Sequence, residues 1–349
     1  MLDFQQARQT KFSAAWVGNA NRYEGYVIPQ ATLTPVTDLI EEITTVTMLK
    51  PFSTSEEFWY LYPGDELATS PVFDICFDIF DNHDSLSANA GKLAAMLYET
   101  CTNPKVQGGE FFVSIFEDIL LNGEPTQAIG LWKIQSKNPY IGTERKDDQF
   151  RISVLQGIPT SKLEVAALIF NLDENDGYRV FAVDTVSKKS DRSFWKDDFL
   201  RLRPIEDDYF NTRHYMSAAS EFITGIAPFK FGLDRPAVFD MLVKAGDYFK
   251  DNEEFEINDF SKAVMLNGDM QEAFVAYVDE YSKAFAVSLQ LTFNISSQAV
   301  KKEMKLFKTT LKLDKNFVLQ VKGRVDLLER GLDEEKGMKY YKVYFENED

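Results

Sequence analysis

The chain has 349 residues, 44% of them hydrophobic and 14% aromatic, enough for two ordinary domains or one large one, and this composition excludes a disordered chain. Its apolar runs, such as Ala166–Phe170, fall far short of the roughly 20 residues that a membrane span needs, so no membrane partner is expected. With 38 basic and 55 acidic residues the net charge is −17, which repels phosphate unless positive charge is concentrated locally.

The N-terminus, Met1-Leu-Asp-Phe-Gln-Gln-Ala-Arg8, lacks a basic region followed by an apolar run, so no signal peptide is expected. A strand is predicted near Ala14–Gly18, a turn at Asn19–Asn21 and a second strand over Tyr23–Ile28. Thr34 is a candidate helix cap with Pro35 behind it, followed by Leu39, Ile40, Ile43 and Val46 at helical spacing. Val72–Phe80 is apolar and starts a longer helical region, and Ser87–Thr102 is a helix stopped by Pro104. Phe111–Leu121 and Thr126–Ser136 read as strands joined by Asn122-Gly123-Glu124-Pro125, a hairpin signal. Gln149–Leu155, Val165–Asn171 and Tyr178–Asp184 continue as strands.

After Ser187–Arg192 the pattern turns helical. Helices are predicted over Phe194–Leu202, over Thr212–Thr224 ending at Gly225, from Asp234-Arg-Pro236 onward, and over Asp269–Lys283. Phe285, Val287, Leu289, Leu291, Phe293 and Ile295 then alternate with smaller or polar residues, which predicts a half-buried strand. Ser297 is a candidate cap for a short helix reaching Phe307, and Thr309–Leu313 with Phe317–Lys322 makes a closing hairpin across Asp314-Lys315-Asn316. The expected fold is α+β. Residues 1–190 form a mostly antiparallel sheet with helices, and 191–349 a helical domain with C-terminal strands and a basic segment.

Familiar catalytic patterns are missing. The two histidines, His83 and His214, are far apart, and there is no HExxH, GxSxG, GxGxxG or GxxxxGK[ST] pattern. The two cysteines, Cys76 and Cys101, could form one disulfide, but without CxxC or Cys/His spacing we expect buried free thiols in a reducing cytoplasm. Asp173-Glu-Asn-Asp-Gly177 resembles a calcium loop, yet aligning its glycine puts Leu172 where an oxygen ligand is required, so a turn is expected. Trp132-Lys-Ile-Gln135-Ser-Lys137 has the outline of a nuclease strand, but Gln135 stands where a magnesium-binding acid is needed. No catalytic residue, metal or cofactor is expected.

The charge distribution is more telling than its total. Val300–Arg324 carries Lys301, Lys302, Lys305, Lys308, Lys312, Lys315, Lys322 and Arg324 against Glu303 and Asp314, a net +6 that leaves −23 on the remainder. Helical spacing puts Lys301, Lys305 and Lys308 on one face beside an apolar stripe of Val300, Met304 and Phe307. Exposed lysines suit phosphate contact without base readout, and equally a basic patch that docks on an acidic protein.

Several stretches, in order along most of the chain, are similar to the bacterial nucleoid-associated (NdpA-like) family in its Bacteroidetes-type form. They are Trp16-Val-Gly-Asn19, Gly109-Glu-Phe-Phe-Val113 running on to Ala128-Ile-Gly-Leu-Trp-Lys133, and Leu168-Ile-Phe-Asn171. Phe194-Trp-Lys-Asp-Asp-Phe-Leu200, Asp247-Tyr-Phe-Lys250, Phe307-Lys-Thr-Thr-Leu-Lys-Leu-Asp-Lys-Asn-Phe317 and Gly337-Met-Lys-Tyr-Tyr-Lys-Val343 complete the set. The resemblance implies association with double-stranded chromosomal DNA in the cytoplasmic nucleoid, no assigned enzymatic activity, and in some members contact with topoisomerase machinery. The family pattern often carries Glu where this chain has Gln135, and Leu-Asp-Lys-Gly where it has Leu163-Glu-Val-Ala166. The leading expectation is therefore a non-enzymatic DNA-binding protein using the eight basic residues, with a homodimer able to join two clusters into one track. The competing reading is a protein–protein interaction module.

Overall fold

Val165–Phe170 is apolar at every position, and a strand can use that only if both of its faces are covered. The computed structural model describes residues 2–28, 30–33, 38–52, 57–61, 70–146, 149–159, 163–187, 192–285, 287–321, 324 and 327–347. They divide into two compact units, Met1–Ile205 and Glu206–Asp349.

In the first unit β1 (Leu2–Asp3), β2 (Arg8–Val17) and β3 (Tyr26–Val27) precede α1 (Asp38–Leu49), β4 (Phe58–Leu61), α2 (Pro71–Asp81) and α3 (Leu86–Thr100). Then come β5 (Gly109–Leu121), β6 (Glu124–Ile134), β7 (Asn138–Lys146), β8 (Gln149–Gly157), β9 (Val165–Phe170), β10 (Arg179–Asp184) and β11 (Leu202–Pro204). One antiparallel sheet runs β11-β4-β10-β9-β6-β5-β2-β3, with β1 beside β5. Period-two alternation sorts β9 between two cores. Val165, Ala167 and Ile169 face α2, α3, Trp195 and Phe199; Ala166, Leu168 and Phe170 face Met48, Leu49 and Phe52 at the end of α1. Trp132 lies over Gly130 so closely that any β-carbon at 130 would overlap the indole, and its Nε1 donates to the Met48 carbonyl at 3.0 Å. Asn122 and Gly123, both at positive φ, close the two-residue β5–β6 hairpin. Cys76 and Cys101 are buried free thiols in the first core, and burial pushes the Cys101 thiol up to about 11.

Three expectations for this unit need correction. Tyr23–Ile28 is mostly turn, because Ala20–Arg22 forms a 3₁₀ turn and Tyr23 is left-handed, leaving only Tyr26–Val27 as strand. The strand over Gln149–Leu155 does not extend the sheet but pairs with Asn138–Lys146 as a separate hairpin. Phe194–Leu202 is one wide π turn, Phe194–Phe199, followed by β11 on the sheet edge. It stays in the first unit because Trp195 is fully buried and donates to the Ala166 carbonyl at 3.0 Å. The units therefore part after Ile205, beyond the composition change near residue 190. The expected cap at Thr34 lies outside the described residues.

The second unit runs α4 (Asp208–Glu221), α5 (Ala227–Phe231), α6 (Arg235–Asp251), β12 (Glu254–Glu256), α7 (Ile257–Val264), α8 (Gly268–Phe285), β13 (Thr292–Asn294), α9 (Ser297–Glu303) and two hairpins. The hairpins are β14 (Thr309–Leu313) with β15 (Phe317–Val321), and β16 (Leu328–Asp333) with β17 (Met338–Val343). The fold class is α+β. Asp234 caps α6 by accepting from the Ala237 amide at 3.0 Å. The helix predicted to stop at Gly225 instead passes through a π turn, Phe222–Ile226, into α5 and ends at Gly232, whose φ is 64°. The core is aromatic, with Phe255 stacked on Phe293 at 4.8 Å and on Phe249 at 5.6 Å.

The predicted strand over 285–295 is also corrected. Phe285 ends α8, and among the described residues only Thr292–Asn294 pairs with another strand, β12. Around it the chain is extended: Val287 N donates to the Ser282 carbonyl and Ile295 N to the Glu253 carbonyl, while four other amides are met by side chains between Glu206 and Thr212, at and just before the start of α4. Ser288 N donates to Glu206 Oε1 (3.4 Å), Gln290 N to Asn211 Oδ1 (2.9 Å), Asn294 N to Asp208 Oδ1 (3.2 Å) and Ser296 N to Thr212 Oγ1 (3.0 Å). Alternation is real because the segment is extended, but its polar side is held by a helix and not by a ladder. Asn211 is fully buried; its Nδ2 donates to the Asp207 carbonyl at 2.9 Å and its Oδ1 accepts from the Gln290 amide, so Asn211→Ala removes two hydrogen bonds and should cost about 1–3 kcal/mol in urea unfolding. A loss within experimental error would show that the clamp contributes nothing.

Candidate nucleic-acid interface

The basic segment starts where that extended chain ends. Ser296, held at its amide by Thr212, turns its hydroxyl to accept from the Ala299 amide at 3.4 Å and caps α9; the cap is thus Ser296, one residue before the predicted Ser297. Val300 and Phe307 are buried and Met304 packs partly buried in the second unit's core, as the apolar stripe requires. Ser220 of α4 donates to the Leu306 carbonyl at 3.2 Å and fixes the 3₁₀ turn Met304–Phe307 that follows.

This anchoring leaves Lys301, Lys302, Lys305 and Lys308 exposed, with Lys315 exposed in the β14–β15 turn. Lys312 lies on β14, but its side chain and the whole of Lys322 fall outside the described residues. Arg324 is exposed at φ 43° and is not a free cation. Lys302 Nζ sits 5.8 Å from the centroid of Tyr209, a contact of roughly 0.5–1 kcal/mol at such a site. Lys305 lies 3.6 Å from Glu303, whose side chain is buried beneath it. Among the described residues, Lys301, Lys308 and Lys315 have no carboxylate within ion-pair distance. Lys301 and Lys302 also end a helix, where cations are favoured by the backbone dipole. Sequence spacing found these lysines; it missed the Tyr209 contact, which is remote in sequence, and the exposed Phe317 and Val318 beside Lys315.

The other candidates have structural partners. Gln135 accepts from the Gln107 amide, its own amide lies 3.4 Å from Glu164, and Lys137 pairs with Glu110. Lys133 is fully buried and donates to the Gln107 carbonyl; burial holds its ammonium below the usual lysine range. Asp173 is paired with Arg179 at 2.6 Å in the tight turn between β9 and β10. Among the described residues no three His, Cys, Asp or Glu side chains gather into a metal-holding group. A hollow of about 160 Å³ beside α1 is lined by Phe12, Ile43, Phe112 and Leu163 with no charged group, so it does not suit phosphate. No helix among the described residues is long and apolar enough to cross a membrane.

A family profile described as nucleoid-associated protein YejK matches residues 26–334 of this chain. No curated protein and no solved structure matches it.

His214 has a structural setting. Its Nδ1 lies 3.1 Å from the Tyr281 hydroxyl, its ring 4.3 Å from Phe210, and burial, helped by Arg213, pushes it down to about 4. The fold thus favours the neutral ring, and its contribution, roughly 1–3 kcal/mol after solvent screening, is full above pH 6.5 and lost as pH falls toward 4. In urea titrations the parent should lose more stability than His214→Gln across that window. Parallel pH curves for the two would refute the assignment.

Proposed function

This chain belongs to the nucleoid-associated protein YejK family, and on that premise we propose that it binds duplex DNA without reading bases. The contacts are made by Lys301, Lys302, Lys305, Lys308 and Lys315, flanked by Lys312, Lys322 and Arg324. The observation that supports this most is the exposure of the five lysines on a segment of net +6 whose apolar side is anchored in the core. Lysine ammoniums are compact point charges, suited to phosphates along any sequence. Binding must overcome the −23 carried elsewhere, so affinity should be modest and strongly salt-dependent.

The protein acts without catalysis in this reading. Gln135 spends its side-chain oxygen on the Gln107 amide and Lys137 is neutralised by Glu110, so neither is set to bind magnesium or orient water. With magnesium or manganese the protein should leave DNA and nucleotides intact. Cleavage that Lys137→Ala abolishes would overturn this.

A second reading is favoured by one observation. Phe317 and Val318, each 68% exposed, stand beside Lys315, and a basic surface with apolar side chains also suits an acidic protein partner, including one of the DNA-processing machinery. Titration against random duplex at several salt concentrations separates the two. Log affinity should fall with log salt at a slope of about −3 to −5 for a handful of phosphate contacts. The combined variant Lys301→Gln, Lys305→Gln, Lys308→Gln should weaken all sequences alike and flatten the slope by about 2 to 3 units, with an unchanged melting curve. If the parent binds no duplex even at low salt, the protein-docking reading stands instead.

A further inference from the structure

The β7–β8 hairpin is bare. Every residue of β8 except Gly157 is exposed, and among the described residues no strand other than β7 pairs with it. Two-stranded hairpins are marginal in water without a covering layer. The register separates its two faces. On one, Tyr140 lies against Gly157 and Leu155 leans over Gly142, so the hairpin partly covers itself. The other aligns Ile141 with Val154 and Thr143 with Ile152, and ends in Arg145 opposite Phe150. There Ile141, Phe150, Ile152 and Val154 are 70–74% exposed. A contiguous apolar face of this kind marks an interaction site.

We propose that this face packs against the same face of a second copy of the chain, making a face-to-face dimer of hairpins. Charge selects that occupant. Residues 138–157 hold three basic and three acidic side chains and are neutral, in a chain of −17. Two copies repel one another over most of their surfaces, and the neutral hairpin is where they can approach; it offers DNA or a strongly charged protein no electrostatic gain. Geometry agrees, because an antiparallel two-fold arrangement sets the tip of one hairpin against the base of the other and buries both apolar stripes, as in sheet-on-sheet packing. Covering side chains of this size removes on the order of 100 Å² each, so with flanking Pro139, Thr143, Arg145 and Gln156 the pair buries roughly 1,200 Å², enough for a specific interface.

Sedimentation velocity of the full chain tests this. The parent should sediment as a dimer that dissociates on dilution, and Ile152→Asp, at an exposed position, should be monomeric with an unchanged far-ultraviolet spectrum and the melting curve of the dilute, dissociated parent. Ser153→Asp, on the opposite face, should remain dimeric. A parent monomeric at every concentration, an Ile152→Asp variant as dimeric as the parent, or dissociation by Ser153→Asp alone would overturn the proposal.

Discussion

A backbone amide with no strand partner turns to a side chain or to water, and among the described residues the extended chain from Val287 to Ser296 pairs with a strand at Thr292–Asn294 alone. The start of α4 meets that need with Glu206, Asp208, Asn211 and Thr212, which take amides at alternating even-numbered positions. Much of the second unit follows from this clamp. It sets Phe293 against Phe255 and Tyr215, and it delivers Ser296 to its capping position. It thereby fixes where α9 begins and which of its faces turns inward. The lysines are outside because Val300, Met304 and Phe307 are inside.

The same arrangement accounts for how a chain of −17 can present a usable positive surface. The one acid within α9, Glu303, is buried beneath Lys305, so it offers little of its charge to solvent. Lys302 has its ammonium over Tyr209, a contact that does not neutralise it. The Lys305 end of the Lys305–Glu303 pair is exposed, so its ammonium can still reach a phosphate. The family match spans residues 26–334 and so includes this basic segment.

Much of the architecture was legible because period and caps agree with it. The Asn122-Gly123 hairpin, the α6 cap at Asp234, the doubly buried strand at Val165–Phe170 and the apolar stripe of α9 all follow from local rules. The failures share one cause, which is that periodicity reports exposure and not the identity of the neighbour. Residues 287–295 alternate because the chain is extended along a helix, and Gln149–Leu155 reads as strand without revealing that, among the described residues, it pairs with β7 alone. Phe194–Phe199 looks helical, but its three rings, Phe194, Trp195 and Phe199, are drawn into the first core and it forms a single wide turn. Strand β7 went unread because Pro139 and Gly142 are poor strand residues, tolerated here on an uncovered edge. At the candidate interface, spacing gave the lysines, but only the fold could show Tyr209 beneath Lys302.

The central claim is that particular lysines touch DNA phosphates, and the most direct measurement is a lysine-acetylation footprint of the intact protein read by mass spectrometry. With random duplex at low salt, Lys301, Lys305, Lys308 and Lys315 should be protected while exposed lysines elsewhere, such as Lys92 and Lys230, stay reactive. Raising the salt should remove the protection. Equal reactivity of the four lysines with and without bound duplex would contradict the account.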